Sequence, residues 1–183
     1  GMNDPSLLAL CVMSVGFTIF AKSYVSKPVS EYLIIISFSI MIIAGLIKHN
    51  LIGLPAAAAI LLFQLNRMLF FKIFFICTIL IILITAYMNF IFGQSFFDQI
   101  FMPRSYDILR PLTRIGRLQW IIIVFAFWMV WIKKFQTEAT RKFTIITVSC
   151  ALASNELALI GAGVANNAQF ELIFCIGICL SLI

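Results

Sequence analysis

No charged residue stands between Lys72 and Asp98, and residues 73–92 form a nearly continuous apolar run. A membrane-crossing helix needs about 20 such residues at 1.5 Å of rise each. The rest of the chain agrees. Hydrophobic residues make up 63% and charged residues 11% of the 183, against roughly 45–50% and 25% in soluble domains. There are too few charges to cover a water-soluble surface, and lipid as the solvent removes that difficulty.

Charges that interrupt the apolar runs mark the spans. They predict crossings over residues 5–21, 32–47, 51–66, 73–92, 118–132, 143–165 and from about Asn166 or Ala168 to Ile183. Spans two and three are short, with only Lys48, His49 and Asn50 between them, so a tight tilted hairpin is an alternative for these two. The apolar runs show no strand-like alternation, since residues 73–83 and 121–130 are apolar at both parities. The expected architecture is all-α: a polytopic integral membrane helical bundle of about 6–7 transmembrane helices with one interfacial amphipathic segment. A single transmembrane domain, 1–183, is the economical reading, since no linker or repeat divides the chain.

Gly1 before Met2 reads as a scar of tag removal. Residues 5–21 read as a retained first helix, because no basic segment precedes them and no small-residue cleavage site follows. Lys22, Lys27, Arg67, Lys72, Lys133, Lys134, Arg141 and Lys142 fall on one side of a seven-span chain. Lys48, Arg104, Arg110, Arg114 and Arg117 fall on the other. The positive-inside rule then favours an external N-terminus and an internal C-terminus.

Several function classes are disfavoured at this stage. The net charge of +6 comes from residues in short gaps between apolar runs, which sets topology and offers no continuous face to nucleic acid. The five cysteines form no CxxC pair, and His49 is the single histidine. No metal site, bis-histidine haem or other cofactor is expected. No HExxH, GxSxG or P-loop pattern occurs, so no enzyme working alone is indicated.

Three places can carry chemistry. Glu156 lies about 20 Å along span six from Phe143, where a carboxylate costs several kcal/mol unless neutral, paired or wet. Asn155 adjoins it, and Ser149 falls on the same side of that helix. Thr147, Ala151, Ser154 and Ala158 form a separate small-residue stripe that permits close helix approach. The second place is the long loop 93–119, read as interfacial. Its Phe96, Phe97, Ile100 and Phe101 recur at helical spacing, and Arg110, Arg114 and Arg117 would present guanidinium groups to anionic lipid or phosphate. The third is Glu171, near the start of span seven, expected to reach the membrane interface or else to join Glu156 in a polar lining.

These features lead to an expectation: a small integral membrane transporter or channel-like protein, proton- or cation-coupled through Glu156. The alternatives are a non-catalytic subunit of a larger membrane complex and a lipid-handling protein. The expected partners are the bilayer, other membrane proteins or further copies of the chain. The Ile- and Phe-rich composition is compatible with a bacterial inner membrane.

Overall fold

A computed structural model describes residues 5–26, 28–100, 126, 137–160 and 170–181. The elements are helices α1 (Ser6–Val25), α2 (Glu31–Ile47), α3 (Gly53–Leu65), α4 (Arg67–Phe92), α5 (Gln94–Ile100), α6 (Glu138–Ile160) and α7 (Phe170–Ser181). The described residues include no strand. Three helices, α1, α4 and α6, are long and apolar enough to cross a membrane, while α2 and α3 are apolar but shorter. Apart from residue 126, the fifth expected span lies outside the described residues, as do Arg110, Arg114 and Arg117. So does most of the 93–119 loop beyond α5, whose Phe96 and Phe97 rings meet edge to face at 5.4 Å.

Local chemistry sets the helix ends. Pro28, two residues past the Ser26 C-cap, cannot continue α1. Ser30 then opens α2, its hydroxyl accepting the Leu33 N–H at 3.4 Å. Asn66 serves two helices. Its backbone N–H closes α3 onto the Leu62 carbonyl, and its side-chain oxygen accepts the Leu69 N–H at 3.0 Å to start α4. Helix α4 therefore begins at Arg67, six residues before the apolar run itself. Long basic side chains can belong to a helix while their heads reach water.

Between apolar helices in lipid the hydrophobic drive is weak, so close contact decides association. Helices α1 and α2 pack along Met13, Phe17 and Phe20 against Ile34, Met41 and Ala44, all buried. At Gly16 a Cβ would stand 3.0 Å from the Ser37 carbonyl oxygen and 2.8 Å from Met41 Cγ. A bare backbone is what permits that approach. Phe143 of α6 meets Phe17 and Tyr24 of α1, with both centroid distances 5.8 Å. Ser23 Oγ donates to the Ser30 carbonyl, Lys72 pairs with Glu31, and the Phe63 and Phe70 rings meet at 5.3 Å. These contacts bring the C-terminal ends of α1 and α3 together with the N-terminal ends of α2, α4 and α6.

Helix α4 is different. Of its 26 residues only Ile73 is buried, and Phe71, Phe74, Phe75, Ile82, Leu83 and Phe90 stand open. Such a surface is untenable in water and ordinary in lipid.

Candidate functional site

Helix α3 has an unusual beginning. Its N-cap is Ile52, which has no side-chain oxygen to offer the first-turn amides. Of those amides, Pro55 has none to donate, and the Ala56 N–H reaches the Ile52 carbonyl at 3.0 Å. Gly53 and Leu54 remain, both buried. Buried donors without partners cost about 1–3 kcal/mol each, so something outside α3 has to accept from them.

That acceptor is Glu171 of α7. Its Oε1 takes the Leu54 N–H at 2.9 Å, and the Gly53 N–H also donates to this carboxylate. Its Oε2 takes the Ser154 hydroxyl of α6 at 3.0 Å. The residue is 2% exposed. One carboxylate thus joins α3, α6 and α7, acting as the missing cap and balancing the positive end of the α3 dipole. Both carboxyl oxygens act as acceptors.

Gly53 makes the approach possible. A Cβ there would stand 2.7 Å from Ala151 Cα, 3.1 Å from the Cys150 carbonyl oxygen and 3.1 Å from Glu171 Cδ. Ala151 belongs to the small-residue stripe read from the sequence, and Thr147, Ala151 and Ser154 are all buried. The stripe is therefore the packing face of α6.

Further oxygens surround this junction. Ser154 Oγ also lies 3.4 Å from the Asn50 carbonyl oxygen. Asn50 Oδ1, Asn155 Oδ1 and the Thr144 and Thr147 hydroxyls are buried without a hydrogen-bond partner among the described residues. Thr144, Thr147 and Ser154 share the buried face of α6, so oxygen atoms recur along it from near its start to the Glu171 carboxylate.

The structure reassigns the two glutamates. Glu171 is buried, and two amides and a hydroxyl stand where water would solvate it. Glu156 is only half-buried and receives the Asn155 side-chain amide at 3.2 Å. Ser149, on its side of α6, is exposed. Asn155 is buried, at 2% exposure. Among the described residues the buried face of α6 is the one that carries Thr147, Ala151 and Ser154, and Glu156 and Glu171 do not meet in any described hydrogen bond. No group of His, Cys, Asp and Glu that could hold a metal ion occurs among the described residues. Compared with known protein families, curated proteins and solved structures, the chain matches none.

Proposed function

We propose that this protein is a small integral membrane transporter or channel-like protein, coupled to protons or a monovalent cation through Glu171. The observation that carries the reading is a carboxylate 2% exposed, held beside Ser154 and a row of buried oxygens. Ionisable groups inside a membrane bundle are expensive, and they are kept where an ion path or a proton relay uses them. Depth supports the same reading. Helix α3 has 13 residues, about 20 Å at 1.5 Å each, against a hydrocarbon core of about 30 Å. Ser154 stands about 17 Å along α6 from Phe143. With the aromatic and basic end taken as one boundary, both lengths support a Glu171 past mid-membrane but short of the far side. A helix that starts within the bundle, with its N-terminus facing a negative group, is a device of secondary transporters.

The finer architecture belongs to this proposal: 6–7 crossings, the described helices joined by a crossing over residues 118–132. Lys22, Arg67, Lys72, Arg141 and Lys142 gather at one end and Lys48 at the other, which supports an external N-terminus; a bacterial inner membrane is the setting proposed with it. Glu156 and Asn155 form the half-open companion of the buried site.

The test is flux in proteoliposomes under imposed proton, sodium or potassium gradients. Glu171→Gln is expected to lower the wild-type flux by about tenfold or more, and Glu156→Gln by less. Robust flux unchanged in Glu171→Gln overturns the mechanism. The open face of α4 favours a second reading, a non-catalytic subunit of a larger complex. Absence of wild-type flux for all three ions, with stoichiometric partners retained in mild detergent, would put that reading first.

A further inference from the structure

A second polar feature occupies the other end of the bundle. Glu31, the first residue of α2, pairs with Lys72 of α4, and the two side chains are 44% and 58% exposed. They share a cleft of about 640 Å³ with Asn66, Leu65, Met68 and Leu69. Small-molecule sites have volumes of about 300–1,000 Å³. Arg67 is engaged nearby, its Cζ 5.2 Å from the centroid of the Phe63 ring. Among the described residues, Lys72 is the cation that lines the cleft.

The surroundings name the kind of occupant. The cleft lies where α2 and α4 begin and α3 ends, level with Tyr32 and Phe70, as aromatic residues stand at a membrane boundary. Beside it runs the outer face of α4, with Phe71, Phe74 and Phe75 open for acyl chains to lie against. An ion pair this open adds little to folding. A ligand bearing both charges can satisfy both partners at once.

We propose that this cleft binds the headgroup of a zwitterionic phospholipid with a primary ammonium, Lys72 taking the phosphate and Glu31 the ammonium. Charge-assisted hydrogen bonds supply the selectivity. A choline headgroup has no N–H to give Glu31. A glycerol headgroup has no cation, and its phosphate meets Glu31 as a like charge. The inference is independent of the transport reading, since it uses none of the residues around Glu171.

Native mass spectrometry tests it on the full chain, with equimolar phosphatidylethanolamine, phosphatidylcholine and phosphatidylglycerol of identical acyl chains. The ethanolamine lipid is expected to be retained about fivefold over either competitor. Glu31→Gln should bring it level with phosphatidylglycerol, and Lys72→Gln should weaken all three. Equal retention of the three lipids by the wild type overturns the proposal, as do variants with the wild-type pattern. The wild-type competition decides the matter even if a variant fails to fold.

Discussion

Glu171→Ala is expected to destabilise the protein by about 3–5 kcal/mol, because it strips the acceptor from two buried amides and a buried hydroxyl at once. The Gly53 and Leu54 N–H groups have no alternative within α3, since Ile52 offers no side-chain oxygen. Ser154 retains only its longer approach to the Asn50 carbonyl, 3.4 Å. Glu171→Gln keeps one carbonyl oxygen for the Leu54 amide and should cost less, about 1–2 kcal/mol. Graded unfolding in mild detergent, followed by circular dichroism, measures both variants. An alanine variant within about 0.5 kcal/mol of the wild type would mean that the carboxylate holds nothing together. The milder glutamine change is the one suited to flux, because it removes the charge while leaving most of the fold.

The second large effect belongs to Gly53. An alanine there places its Cβ 2.7 Å from Ala151 Cα and 3.1 Å from the Cys150 carbonyl oxygen. These are backbone atoms, which cannot turn aside as a side chain can. Gly53→Ala should therefore cost about 2–3 kcal/mol, and Gly53→Leu should prevent α3 from docking on α6. Gly45 serves as the control. A Cβ at that position meets nothing within 4 Å, so Gly45→Ala should be neutral or gain up to about 1 kcal/mol of helix propensity. Equal tolerance of alanine at both positions in a thermal melt would contradict the packing described.

The helices were legible in the sequence because charge and apolarity separate cleanly in it. The apolar run after Lys72 announces α4, and Lys48 and Asn50 announce the break between α2 and α3. Charges mark helix ends only loosely: Arg67 and Lys72 belong to α4 itself. The short length of α3 is not written in its charges either. Leu51 and Ile52 are as apolar as the helix that follows, and only the backbone decides where the turn ends.

The glutamates teach a different point. Counting residues along one helix ranks Glu156 as deep, but burial depends on which way the side chain faces. Glu156 lies on the side of α6 that carries the exposed Ser149 and Ala153. Glu171 sits at the beginning of its helix, where depth along α7 is small, yet it faces the junction of α3 and α6. A signal for it was present, in a place that reading each span separately does not reach. The stretch Ile52-Gly53-Leu54-Pro55 begins a helix with no Ser, Thr, Asn or Asp to cap it. A buried helix start of that kind calls for an acceptor from elsewhere in the chain, and few acidic residues stand among the spans to provide one.

The central claim is that α3 starts inside the protein and is closed by a carboxylate from 117 residues further on. Amide hydrogen exchange at Leu54, followed by NMR in detergent micelles, reaches it directly. First-turn amides have no partner within their own helix and ordinarily exchange fast. The Leu54 amide should instead exchange as slowly as those in the middle of α3, and should become fast in Glu171→Ala. Fast exchange in the wild type would show that α3 opens to solvent, and the buried site would go with it.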